Sequence, residues 1–510
     1  MSRAGGTAGL LSDRQVDLIA MRLAERLTGA PPPPAPVTSS TTISAPAVAV
    51  PHNPAAPATA PQTRPAEKLG EGVFATVDDA VDAARAAFRE FDGMSLEGRQ
   101  KIIAEIRASM LDHAKALARY AHDETGLGRT EHKVIKNRLV TRKTQGTEVL
   151  TPQAVTGDNG LTLTEYAPYG VIGAITPTTN PTSTIICNTI AMLSAGNTIV
   201  FNVHPNARGC SMENVRLLHR AIIRGGGPAN LVTAVAEPTI ESAQALMVHK
   251  GVRLLTVTGG PGVVREAMKS GKRAICAGPG NPPVVVDETA DLPHAARNIV
   301  AGAGFDNNIV CTDEKEVFAV ESIIDELLRH MGRYGAYLLS DAELKRVEEA
   351  VFTEQRGPRK HAVVNKDLIG KNAREILARA GIACTGDPPL LVARVPNDHP
   401  LIWTEQMMPV LPVSAVPDVE TGITLAREAE HGYGHSAGMY SRDIDALSRM
   451  ARTINTSIFT KNGPFYAGLG EGGEGHSSFT IASPTGEGLT GAISFSRIRR
   501  CVLVDHFRIV

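Results

Sequence analysis

Aromatic residues are scarce in this chain: one tryptophan, eight tyrosines and twelve phenylalanines among 510 residues. The 43% hydrophobic content is therefore mainly aliphatic, and with 48 glycines it is the composition of a soluble α/β protein. No sign of charge prevails, since 52 Lys and Arg face 53 Asp and Glu, and nothing biases the chain toward nucleic acid or an anionic membrane. Six cysteines (Cys187, Cys210, Cys276, Cys311, Cys384 and Cys501) form no C-x-x-C pair. That spacing argues against a metal site and a disulfide framework, and fits reduced thiols in a cytoplasmic compartment. No apolar run reaches membrane-spanning length. A chain this long has room for two or more domains and an ample core.

What is present divides by composition. Residues 1–29 include one short helical pattern from residue 10 onward. Residues 30–66 are rich in Pro, Ala, Ser and Thr with almost no charge, and read as an extended, semi-rigid linker. From Glu67 the composition is globular. Helical patterns over Asp78–Glu90 and Leu96–Thr125 come first. Then strands and helices take turns: GVIGAI, PTSTIICNTIAML, NTIVFNV, CSMENVRLLHRAII, NLVTAV, TIESAQALMV, RLLTVT and GVVREAMKSG. The alternation resumes at KEVFAVESIIDELLRHM and at VLPVSAV followed by VETGITLAREAE. This order predicts parallel sheets with helices on both faces, in two doubly wound domains. The terminal RRCVLVDHFRIV is β-branched and is expected to pair with another segment or subunit.

Four local features invite a chemical reading. In TVTGGPGVV, Thr256 to Val264, a strand runs into glycines and a helix start with Pro261 in its first turn. Such a junction can admit a phosphate, or be only a tight turn, and the fuller G-x-G-x-x-G spacing is absent there. GLGEGGEG, residues 468–475, has no strand and helix around it and reads as a loop. Asn180 lies where a strand ends and a helix begins; on the residues alone the simpler reading is a helix N-cap. Among the cysteines, Cys187 and Cys501 read as core, while Cys276 and Cys384 are ambiguous. Cys311 follows an Asn-rich polar stretch and precedes a strand, where backbone N–H groups would lower a thiol's pKa. The charged run after it reads as a solvated strand edge.

Taken together, ITPTTNPT, TVTGG, AGPGNPPVVVD, GFDNNIVCTDEKEV, TEQMMPVLPV and TSIFTKNGP, in this order, resemble the motifs of the aldehyde dehydrogenase superfamily. More narrowly, the chain from about Glu67 to Val510 is similar to the CoA-acylating aldehyde dehydrogenases of bacterial microcompartments. The resemblance implies two doubly wound Rossmann-like domains, for cofactor binding (67–288) and the catalytic thiol (289–483). It also implies a small β oligomerisation arm from 484–510 with part of 150–166, in a dimer or tetramer. It implies Cys311 as the nucleophile and Asn180 as the oxyanion donor, which reverses the simple cap reading. Thr258, Gly259 and Gly260 then lie beside the cofactor pyrophosphate, and Glu405 on the nicotinamide ribose. His204 stands where hydrolytic members place a lysine for the adenosine ribose; the resemblance favours NAD. Those members also carry a glutamate as base for water where this chain has Ala277. A thioester on Cys311 would then await coenzyme A, and a short-chain aldehyde would be the substrate.

Rival readings are a hydrolytic aldehyde dehydrogenase with another carboxylate as base, an acyl-phosphate reductase on the same fold, and a scaffold. For the N-terminal segment, Ser12 and Gln15 match a capping box, and Val16, Ile19, Ala20, Leu23 and Leu27 form one apolar face. A lone helix this short is marginal in water. Its face is expected to dock onto microcompartment shell proteins, as the resemblance implies.

Overall fold

The computed structural model describes residues 68–510. The expected N-terminal helix and the linker lie outside them. These residues belong to a compact unit, Ala66–Val510. After the short strand Val73–Phe74 come two helices whose ends are written in the sequence. Val77–Phe91 is capped by Thr76, whose side chain accepts from the Asp79 N–H, and Leu96–Thr125 by Ser95. The second stops at Gly126, in the left-handed region at φ 65°.

The alternation then builds a six-stranded parallel sheet. Its spatial order is Val73–Phe74, Val232–Val235, Thr198–Asn202, Val171–Ile175, Leu254–Thr258 and Ala274–Ala277. Val171–Ile175 and Thr198–Asn202 are buried along their whole length, as strands covered on both faces must be. Strand order reverses between Val171–Ile175 and Leu254–Thr258, the switch point at which open parallel sheets bind ligands. Cys276 lies on a buried strand of this sheet, not in a loop.

After Ala277 the chain enters a seven-stranded parallel sheet. Its order is Tyr337–Leu338, Leu391–Arg394, Val410–Val416, Glu316–Val320, Pro283–Val286, Ser436–Tyr440 and Ile458–Lys461. Pro283–Val286 pairs in parallel with Glu316–Val320 and with Ser436–Tyr440. The passage between the sheets thus falls at residues 278–282, ahead of the boundary expected at residue 288. A passage this short takes the chain from the carboxyl end of one sheet directly to the amino end of the other.

The terminal run pairs as expected. Ser496–Val504 is antiparallel to Gly160–Pro168, which pairs with Gln153–Gly157 in a three-stranded sheet. Cys501 lies on its outer strand and is exposed, so the core reading of this residue is corrected. β-branched composition makes the strand, but as an outer strand with exposed side chains it buries no thiol. Among the described residues no helix is long and apolar enough to cross a membrane.

Candidate active site

Asn180, His204, Thr258, Gly259 and Gly260 all lie at or just beyond carboxyl ends of strands in the first sheet. Gly260 caps the helix Pro261–Lys269, with Pro261 in its first turn. Space around a Cβ at Gly260 is open, whereas one at Gly259 would press on the Val263 side chain. The Gly259 N–H donates to the Ala277 carbonyl at 3.2 Å, and Thr258 Oγ1 lies 3.0 Å from Thr480 Oγ1. His204 is half-buried at the head of a short 3-10 turn; its Nδ1 accepts from the Asn206 N–H at 3.1 Å, and burial lowers its pKa. An open helix N-terminus beside the switch point suits a pyrophosphate.

Cys311 follows a stretch of unusual backbone. Asp306, Asn307 and Asn308 in the turn Phe305–Asn308 all have positive φ, at 45°, 56° and 63°. Asp and Asn tolerate that region better than other non-glycine residues, which is why the sequence reads FDNN here. The turn is clamped from several sides. Arg129 Nε donates to Asn307 Oδ1 at 2.8 Å, Asn307 Nδ2 to the Gly370 carbonyl at 2.8 Å, and Asn308 Nδ2 to the Ala303 and Glu314 carbonyls at 2.8 and 2.9 Å. Lys315 Nζ donates to Asn308 Oδ1 and to the Asn308 and Val310 carbonyls, at 2.6, 2.8 and 3.2 Å.

Two expectations fail here. Asp313, Glu314, Lys315 and Glu316 are each 0% exposed, so the charged run is no solvated edge. The reason is topological: Glu316 opens a strand flanked on both sides in the middle of the seven-stranded sheet. Burial raises the Asp313, Glu314 and Glu316 carboxyls well above their ordinary range. Nor is the thiol acidic in this state. Burial first, and the Glu405 carboxylate second, push the half-buried Cys311 up to about 12, against the opposing charge of Lys315. Backbone N–H groups alone do not overcome that desolvation.

Glu405 is a half-buried acceptor whose pKa is also raised by desolvation; its Oε1 accepts from the Gly280 N–H at 3.4 Å. A Cβ at Gly280 would sit 2.8 Å from the Cys311 carbonyl oxygen and 3.0 Å from the His435 ring. Only glycine allows this approach. His435 is fully buried and held neutral, its pKa pulled down to about 4 by burial; Nδ1 meets Ser436 Oγ at 2.8 Å, and Nε2 has no partner among the described residues.

Asn180 is buried at the N-cap position of the helix Pro181–Ser194, yet its side chain makes no cap hydrogen bond. Its Oδ1 instead accepts from Lys136 Nζ at 2.6 Å, and Nδ2 donates to Thr179 Oγ1 at 3.2 Å. Lys136 also bonds the Asp306 carboxylate, as does Lys133 at 3.2 Å. Lys136 thereby joins Asn180 to the turn that leads into Cys311. It was missed in the sequence because TEHKVIKNRLVTRK, the helix Thr130–Lys143, reads as a solvent-facing element. Its buried positions include Lys133, Lys136, Asn137 and Thr141. GLGEGGEG is the expected loop, and Lys143 Nζ holds it through the Gly473 carbonyl at 2.8 Å.

A sequence profile of the aldehyde dehydrogenase family matches residues 58–492. The chain belongs to that family. Over 452 residues it is 49% identical to the acetaldehyde dehydrogenase (acetylating) EutE of Salmonella typhimurium, covering 88% of this chain and 96% of that protein. It is 45% identical to the propanal dehydrogenase (CoA-propanoylating) of the same organism, with the same coverage. A Rhodopseudomonas palustris propionaldehyde dehydrogenase with bound CoA and an acylated cysteine superposes with a TM-score of 0.83 at 48% identity, over 86% of this chain and 99% of that one. A propionaldehyde dehydrogenase from the Clostridium phytofermentans fucose utilisation microcompartment gives 0.83 at 44% identity, over 86% and 100%. As an aldehyde dehydrogenase, the chain has the nicotinamide-linked oxidation of an aldehyde as its family chemistry.

Proposed function

We propose that this aldehyde dehydrogenase oxidises a short-chain aldehyde, acetaldehyde or propionaldehyde, to its acyl-CoA with NAD as oxidant. The observation that carries the reading is Cys311 just after a clamped left-handed turn, with Ala277 where hydrolytic members have a glutamate. The relatives named as acetylating or CoA-propanoylating support it.

In this mechanism the Cys311 sulfur, once deprotonated, adds to the aldehyde carbon. The carbonyl oxygen becomes an oxyanion received by Asn180 Nδ2 and the Cys311 N–H. Each such donor stabilises the transition state by about 2.7–4 kcal/mol. NAD, when bound, supplies the acceptor for the hydride leaving that carbon, and an acyl thioester remains on Cys311. Thr258, Gly259, Gly260 and the helix behind them would hold its pyrophosphate, Glu405 the nicotinamide ribose and His204 the adenosine end. The CoA thiolate then attacks the thioester carbon, the Cys311 sulfur departs, and acyl-CoA leaves. With alanine at 277, no carboxylate at that position makes water a competing nucleophile.

The second reading, hydrolysis to the free acid, has one observation in its favour: the Glu405 carboxylate lies near enough to Cys311 for its charge to raise the thiol pKa. NADH formation from acetaldehyde with and without CoA separates the two. The proposed reaction gives about one NADH per site and then stalls without CoA; sustained release of acid without CoA overturns it. We further assign residues 1–29 to docking on shell proteins of a microcompartment in the cytoplasm. The exposed outer strand Ser496–Val504 is assigned to contact between copies in a homo-oligomer.

A further inference from the structure

An amide that stabilises an oxyanion must present nitrogen and not oxygen to it. The two ends of an asparagine side chain are nearly the same shape, so packing alone does not choose between them. In this chain the choice is made by an ammonium group. Lysine has three N–H donors and no acceptor, so only Oδ1 of Asn180 can face Lys136 Nζ, 2.6 Å away. Nδ2 is thereby turned to the other side. One of its two hydrogens serves Thr179 Oγ1 at 3.2 Å, and the second remains for a ligand.

We propose that Lys136 is a positioning residue for the thiol chemistry: it locks the Asn180 amide in the donor orientation and registers it to the turn that carries Cys311. The inference rests on the reading of Asn180 as the oxyanion donor. Three features suit Lys136 to this part. Its side chain is 2% exposed, so water does not compete for the Asn180 oxygen. Its charge is neutralised by Asp306, five residues before Cys311, which also accepts from the Arg129 N–H at 2.6 Å and from Lys133 at 3.2 Å. The helix that bears it is also pinned to the helix Pro181–Ser194 that follows Asn180, since Thr182 Oγ1 donates to Asn137 Oδ1 at 2.9 Å. Without Lys136 the Oδ1 would be buried with no donor, a state that favours rotation of the amide. The rotated amide would present an acceptor to the oxyanion.

The test compares two rates in the full-length enzyme carrying Lys136→Met, Asn180→Ala or both. One is the pre-steady-state NADH burst with acetaldehyde and NAD, which needs the oxyanion donor. The other is alkylation of Cys311 by iodoacetamide, which needs the thiol but no oxyanion. Asn180→Ala should slow the burst by about 10²–10³-fold, the usual loss for one such donor. Lys136→Met should approach that loss while alkylation stays within about threefold of wild type. The double variant should be no slower than Asn180→Ala alone, because the lysine acts only through the amide. An additive loss in the double variant, or an equal loss in alkylation, overturns the proposal by making Lys136 a general support of the turn. A normal burst in Asn180→Ala removes the donor reading itself, and the proposal with it. If Lys136→Met does not fold, the ratio of the same two rates in Lys136→Leu, which also lacks a donor, decides by the same criteria.

Discussion

Replacing Asp306 by alanine removes a fully buried carboxylate that faces two buried ammonium groups. The neighbouring lysines hold its pKa near 2 against an ordinary 3.8, overcoming the burial that alone would raise it. A lowered carboxylate pKa means stability that is complete above about pH 4 and lost as the pH falls through about 2, worth about 2 kcal/mol. At neutral pH the alanine variant loses more than this, because Lys133 and Lys136 are left buried and uncompensated; breaking a buried pair costs about 3–5 kcal/mol. The compact unit Ala66–Val510 has about 445 residues. At about 2 cal/mol/K of unfolding entropy per residue, that loss lowers Tm by about 3–5 °C. Thermal unfolding at pH 7 of wild type, Asp306→Ala and Asp306→Ala with Lys136→Met measures it. The double variant should regain part of the loss, since one unpaired charge goes with the methionine. An unchanged Tm in Asp306→Ala, or a double variant less stable than the single one by the full sum, would refute the electrostatic account of the turn.

Cys311→Ala should abolish NADH-linked acyl-CoA formation while circular dichroism and NAD binding persist; substantial activity in the folded variant would place the chemistry on another thiol. Glu405→Gln should move the midpoint of Cys311 alkylation in the cofactor-free enzyme to lower pH, because that carboxylate's negative charge is the largest cause, after burial, of the raised thiol pKa. A midpoint unmoved or higher contradicts this. Deleting residues 1–29 should leave kcat/KM with acetaldehyde within about twofold and end co-purification with microcompartment shells; shell association at the wild-type level would remove the docking assignment.

Much of the architecture is legible in periodicity. The strands Val171–Ile175, Thr198–Asn202 and Leu254–Thr258 and the helices between them occur where alternating apolar runs place them, since parallel strands buried on both faces need such runs. Caps such as Thr76, Ser95 and Gly126 mark helix ends by local hydrogen bonding and backbone freedom, which need no distant partner. The family motifs carry Cys311 and Asn180 as a linear string, and that string suffices for membership in the aldehyde dehydrogenases.

Charge is where linear reading fails, because the sign of a residue's effect depends on what surrounds it. Asp313 to Glu316 looks like a wet edge and is a dry centre, since strand order, not composition, sets burial. Lys133 and Lys136 look like the outside of a helix and are its inside, paid for by an aspartate some 170 residues away. Cys501 has a core-like neighbourhood in sequence and an exposed strand in space. The sequence by itself determined the elements and the family, both properties of neighbours along the chain. Only the tertiary structure decided the raised thiol pKa, the Gly280 approach and the lysine on the Asn180 amide, because desolvation and Coulomb energy depend on distance through space.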